Sequence, residues 1–173
     1  MNNHIILVDT SDNPIGTEEK LQAHKIGLLH RAFSICIFDQ NNQMLLAQRA
    51  KTKYHSGGLW SNACCSHPRP GEILEDACQR RLQEELGFSC SVTKQFDFIY
   101  KAVITKDGLI EHEFDHVFFG FVKTPFIIQP NPEEVGAIAW VDTQKIHELI
   151  KQSPKQYASW FILLMKQLQT KAI

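Results

Sequence analysis

The sequence predicts an α/β sandwich built around a mixed β-sheet. Three observations carry this. Apolar, β-branched and aromatic stretches of strand length fill the middle of the chain. Stretches with helical periodicity flank them, and Gly, Pro and Asn punctuate the joints. The 173 residues read as a single domain, 1–173, with an N-terminal extension and C-terminal helices, and they suffice to bury a core. Apolar content of 43% with 21% charged residues is that of a soluble globular protein.

Taken in order, Ile5–Val8 is a short strand and Asp12-Asn13-Pro14-Ile15-Gly16 a turn. Glu18–His24 is a short helix or an extended connection. Ala32–Phe38 and Met44–Gln48, joined by Asp39-Gln40-Asn41-Asn42, form a hairpin. Residues 50–61 are a loop carrying Lys51, Lys53, Gly57 and Gly58. After the break at Pro68-Arg69-Pro70-Gly71, a helix runs from Ile73 to Leu86. It turns Ala77, Leu82 and Leu86 toward a core and stops at Gly87. Val92–Ile104 and Ile110–Val122 are strands joined by the turn Lys106-Asp107-Gly108, and Ala137–Val141 is another strand. Pro130-Asn131-Pro132 is a loop. Helices over Thr143–Lys151 and, after Pro154, Tyr157–Lys171 close the chain.

Composition excludes several roles. A net charge of −1 provides no basic field for nucleic acid or an anionic membrane surface. No apolar run reaches the length of a membrane span, and the first residues carry no charged segment leading into a long apolar one. Five cysteines is an odd count without framework spacing, so the thiols are expected reduced, in the cytoplasm. Cys36, Cys78 and Cys90 read as small buried hydrophobes. Without heptads or an obvious edge-pairing segment, a monomer is expected.

Two patches carry the chemistry. Asn62-Ala63-Cys64-Cys65-Ser66-His67-Pro68 places a thiol two residues from an imidazole. Adjacent cysteines point differently, so only one of Cys64 and Cys65 can easily face a common site. Glu111-His112-Glu113 places two carboxylates at period two, on one face of a strand. With His24 and His30 from upstream, His67, Glu111 and Glu113 could close on one divalent cation. Imidazole nitrogens favour Mn, Zn or Fe there over Mg or Ca. His4, His55, His112, His116 and His147 read as ordinary histidines. The eleven Phe residues read mostly as core, and so do Trp60 and Trp140.

Ser66 through Phe88 resembles the Nudix box, G-x5-E-x7-R-E-U-x-E-E-x-G-U with U apolar. Glu72, Arg80, Leu82, Glu84, Glu85, Gly87 and Phe88 fall in register. Ser66 stands where the box has its first Gly, and Arg81 where it has a glutamate. In such a helix, carboxylates one turn apart hold Mg²⁺, which holds a diphosphate. Arg81 removes a ligand and adds a phosphate donor, which favours gripping a diphosphate over hydrolysing it. Alternatively, Arg81 and Glu85 form a surface ion pair at i and i+4.

Together with Leu29-His30-Arg31-Ala32-Phe33-Ser34, the two patches above, and Ser159-Trp160, the chain resembles the type I isopentenyl diphosphate isomerases, which have a Nudix-like α/β/α fold. The resemblance implies reversible isomerisation of isopentenyl diphosphate to dimethylallyl diphosphate through a tertiary carbocation. It implies Cys65 and Glu113 as the acid–base pair with Tyr100 assisting Glu113. His24, His30, His67, Glu111 and Glu113 would bind a Mn, Zn or Fe ion. Glu85 would hold Mg against the diphosphate. Lys20, Arg49, Lys53 and Arg81 would contact its oxygens, and Trp160 would face the isoprenyl carbons. Glu113 would protonate C4 and Cys65 would take the C2 proton. The competing readings are a Nudix hydrolase of a nucleoside diphosphate derivative and a non-catalytic diphosphate-binding module. The first gives Cys65 and the three histidines no role; the second gives none to the intact thiol–carboxylate pair.

Overall fold

A computed structural model describes residues 3–53, 55–104 and 108–171. Strands β1 (His4–Val8) and β2 (Pro14–Glu19) form an N-terminal hairpin that runs into helix α1 (Lys20–Ile26). Next come β3 (His30–Asp39), β4 (Gln43–Arg49), β5 (Trp60–Asn62) and β6 (Cys64–Ser66). Helix α2 (Leu74–Leu86), β7 (Val92–Ile104), β8 (Leu109–Val122), β9 (Val135–Asp142), α3 (Thr143–Gln152) and α4 (Ser159–Thr170) complete the chain. One 3₁₀ turn, Pro154–Gln156, precedes α4.

The sheet is mixed. β3 and β8 run parallel over ten paired positions, and the other pairings are antiparallel. Alternation along the strands splits the core in two. Phe33, Ile35 and Ile37 of β3, with Phe118 of β8, pack against Ala77, Leu82 and Leu86 of α2. Cys36, Val117 and Phe119 face the other way, onto Ile146 of α3 and Phe161 and Leu164 of α4. The α/β/α layering expected from sequence is therefore present. Lys106 and Asp107 of the expected turn lie outside the described residues.

Some readings are revised. Pro14 to Gly16, expected as a turn, belongs to β2, whose backbone pairs along β1 although five of its residues are polar, Pro or Gly. Glu18–His24 divides into the end of β2 and the start of α1. The loop at 50–61 gives way to β5 at Trp60, and β6 is a further short strand. The helix after Pro68-Arg69-Pro70-Gly71 does stop at Gly87, which adopts φ 70°. A Cβ there would also sit 2.6 Å from the Gln129 carbonyl oxygen, so only glycine fits.

Candidate active site

Register assembles the site on the α4 side of the sheet. Along β8, Glu111, Glu113 and Asp115 alternate inward and are buried. Glu113 has His30 beside it on β3 and Tyr100 beside it on β7. Helix α1 carries Lys20 and His24 at i and i+4, on one face. β6 separates its two cysteines. Cys64 turns toward α2 and donates to Glu85 Oε1 at 3.2 Å, while Cys65 turns to the α4 side.

Side chains of His24, His30, His67 and Glu113 bring one ligand atom each within 4.8 Å of one another. Two of the imidazoles are locked in one tautomer. His24 Nδ1 lies 2.7 Å from the Lys20 carbonyl and His30 Nδ1 lies 2.8 Å from the Leu28 carbonyl. A carbonyl only accepts, so both Nδ1 atoms carry the hydrogen and both Nε2 atoms present a lone pair. His30 Nε2 then sits 3.2 Å from His67 Nε2 and 3.5 Å from Glu113 Oε1. His67 Nε2 is 3.2 Å from the same oxygen. Lone pairs converging this closely suit a cation at their centre. Such a donor set could hold a divalent metal ion.

Glu111 is the exception among the expected ligands. It lines the same pocket, but its carboxylate turns to Ser159 Oγ at 3.5 Å and His55 Nδ1 at 3.9 Å, outside the four-residue group.

Electrostatics sort these groups. Burial pushes His24 and His67 below the usual imidazole range, so both favour the neutral, ligating form. Burial also disfavours charge on Glu113, but the His30 and His67 imidazoles beside its carboxylate prevail and hold it well below the carboxylate range. Tyr100 Oη donates to Glu113 Oε2 at 2.6 Å. Glu111 moves the opposite way, pushed up by burial and then by the Glu113 charge. Burial raises Cys65 far above the usual thiol range, so the sulfur holds its proton.

These groups line an inner pocket of about 40 Å³ with Lys20, Arg49 and Trp160. Arg49 lies over the Trp160 ring, its guanidinium carbon 5.5 Å from the centroid. His55 is part of this wall, buried against the Trp160 edge with ring centroids 5.9 Å apart. Sequence reasoning missed it because a histidine in a loop has no periodicity to place it.

Outside lies a cleft of about 540 Å³ lined by Lys20, Lys53, Arg69, Arg80 and Arg81, and it shares His67 with the inner pocket. Arg81 makes the i,i+4 pair with Glu85, its Nε 3.0 Å from Oε1. The pair is half-buried rather than a surface one, and Arg81 also faces the cleft. Burial opposes its charge, but Glu85 outweighs that and holds it firmly protonated. Lys53 Nζ is 2.6 Å from Glu134. Lys20 is pushed down to about 8 by burial and then by Arg49 and Arg81.

The chain matches the NUDIX domain over residues 28–161. It is 51% identical to "Isopentenyl-diphosphate Delta-isomerase 2" of Photorhabdus laumondii, over 93% of this chain and 89% of that protein. The chain belongs to the isopentenyl-diphosphate Delta-isomerase family. The isomerase of Serratia proteamaculans is 48% identical over 97% of this chain and 92% of its own length. Among solved structures, a Deinococcus radiodurans protein superposes with a TM-score of 0.69 at 16% identity, covering 90% of this chain and 91% of that one. A Methanosarcina mazei MutT protein gives a TM-score of 0.66 at 15% identity, covering 83% of this chain and 95% of its own. These two likenesses show the fold alone.

Proposed function

We propose that the protein interconverts isopentenyl and dimethylallyl diphosphate by moving protons at C4 and C2 from opposite faces of the substrate. One observation carries this reading: Cys65 and the Glu113–Tyr100 pair line one small buried pocket that joins a cationic cleft. Double-bond migration needs two separate proton-handling groups, and these are two. The diphosphate lies in the cleft on Arg81, Lys20 and Lys53, with Arg49 at the inner mouth. The isoprenyl carbons point inward to Trp160. Its π face steadies the tertiary carbocation by roughly 0.5–2 kcal/mol.

Forward, Glu113, fed through the Tyr100 hydrogen bond, gives a proton to C4, and Cys65 takes one from C2. Each forward turn ends with Cys65 as thiol and Glu113 as carboxylate. Those are the states that burial, for Cys65, and the neighbouring imidazoles, for Glu113, favour in the ligand-free site. The same pair starts the reverse reaction; to reset the forward cycle, Cys65 gives its proton to water and Glu113 takes one from water. That exchange brings a solvent proton into every product molecule.

His24, His30, His67 and Glu113 would hold a Mn, Zn or Fe ion, with Glu111 able to join them by turning from Ser159. When bound, the ion supplies positive charge that lowers the proton affinity of Glu113. Glu85 would hold Mg against the diphosphate, which requires Arg81 to swing from Glu85 onto the phosphate oxygens. We place the protein in the cytoplasm as a monomer. All five cysteines are free, as a reducing compartment would keep them, and one chain supplies the whole pocket.

Incubating metal-replete protein with isopentenyl diphosphate is expected to yield dimethylallyl diphosphate and no inorganic phosphate. Phosphate release from a panel of nucleoside diphosphate derivatives, with no isomer formed, would instead make the protein a Nudix hydrolase.

A further inference from the structure

Two side chains outside that mechanism grip the Cys65 sulfur. Asn62 of β5 is fully buried and gives its amide hydrogens to the Ile35 carbonyl at 3.1 Å and the Cys64 carbonyl at 2.9 Å. Carbonyl oxygens only accept, so the amide has one orientation and Oδ1 must face elsewhere. It faces Cys65 Sγ, at 2.9 Å. An amide oxygen also only accepts, so the thiol donates and its S–H axis is aimed at Asn62.

On the other side, Ser34 Oγ lies 3.3 Å from the same sulfur. Strand register creates that contact. Ser34 and Cys65 are directly opposite in the β3–β6 pair, so their side chains share a face. Ser34 in turn donates to Asp115 Oδ2 at 2.8 Å. Asp115 is 2% exposed, and its other oxygen has no hydrogen-bond partner among the described residues. A carboxyl buried with a single partner is costly, and packing alone would favour an apolar residue there. Its one bond is spent on fixing Ser34.

We propose that Ser34, anchored by Asp115, and Asn62 are positioning residues that keep the Cys65 side chain in the rotamer aimed into the inner pocket. β6 is only three residues long, and a cysteine has three staggered χ1 wells, so the strand alone does not fix the sulfur. The thiol hydrogen bond to Asn62 and the Ser34 hydroxyl oxygen held against the sulfur together leave one well. This inference rests on Cys65 being a proton-transfer group.

The test compares isomerisation by Ser34→Ala, Ser34→Thr and Cys65→Ala with wild type. Rates are normalised to the protein fraction that binds Mg-diphosphate in calorimetry. Ser34→Ala is expected to lower kcat roughly 10- to 100-fold, the scale of a misplacement of about 1 Å, with KM within about twofold. Ser34→Thr, which keeps the hydroxyl, should recover most of the loss. Should the threonine methyl prevent folding, Asp115→Asn serves in its place. It leaves an oxygen for Ser34 to donate to, and it should retain more activity than Ser34→Ala. A wild-type kcat in Ser34→Ala overturns the inference. So does a loss that neither conservative variant recovers, because that marks a packing role. An active Cys65→Ala would instead overturn the reading of Cys65 on which the inference rests.

Discussion

The inner pocket and the outer cleft share Lys20, Ser66 and His67 but are built on different electrostatic plans. The cleft is wide, at about 540 Å³, and relies on guanidinium and ammonium groups. Arg81 there is locked in its charged form by Glu85. The inner pocket is small, at about 40 Å³, and its groups sit far from their ordinary proton affinities. Cys65 and Glu111 are pushed up while Glu113 is pulled down. On the proposed function, permanent charge is placed where a diphosphate must be gripped. On the same reading, adjustable charge is placed where protons must move, in a space buried enough for the surroundings to set each group's state.

If this division holds, variants of the two regions should separate turnover from binding. Glu113→Gln is the sharpest. It removes the proposed proton-transfer group and one member of the His/Glu group, so kcat should fall by about 10³-fold or more while calorimetric binding of Mg-diphosphate stays within a few-fold. A parallel collapse of both would show that the two regions are one. Chelation followed by metal readdition should abolish and restore turnover, with metal content by elemental analysis tracking the recovery. Activity that survives complete removal would deny the His/Glu group its role. Arg81→Ala attacks the other region. KM should rise roughly 10- to 100-fold with kcat less affected. Glu85, stripped of its guanidinium, should cost about 2 kcal/mol of stability in chemical denaturation.

Two smaller effects refine the boundary. Trp160→Phe keeps a ring but weakens the cation–π contact, so single-turnover rates should drop about 3- to 10-fold at unchanged KM. Lys20 is shared by both regions and pushed down to about 8, so above that pH the free cleft loses a positive charge. KM should rise a few-fold between about pH 8 and 9.5, an effect that Lys20→Arg removes. The stability sign is opposite. The unfolded lysine keeps its proton to its ordinary value near 10.5, so the unfolded state binds more protons across this window. The Lys20 contribution to stability therefore rises with pH from about 8.

Much of this was legible in the sequence, and the gaps have physical causes. Helix α2 showed through its apolar spacing and Gly87. β7 and β8 showed through long apolar, aromatic runs. β2 was hidden because Pro14-Ile15-Gly16-Thr17-Glu18-Glu19 has almost no strand propensity and is held by backbone pairing with β1. β5 and β6 are too short to have a period. In the site, motif spacing brought forward His30, His67, Cys65 and Glu113. It could not show that Glu111 turns toward Ser159 or that Ser34 stands opposite Cys65. Both depend on register and rotamer. Arg81 illustrates a third case, in which the ion pair with Glu85 and exposure to the cleft, weighed as alternatives, occur together.

The central claim is that Cys65 and Glu113 shuttle protons in a pocket whose cleft only grips the diphosphate. Isomerisation of isopentenyl diphosphate in D₂O by wild type and Cys65→Ala tests it most directly. Wild type should yield dimethylallyl diphosphate carrying deuterium at C4, with no phosphate released. Cys65→Ala should bind the substrate and form no isomer. Isomer formation by Cys65→Ala at a rate near wild type, or wild-type product free of deuterium, would contradict the account.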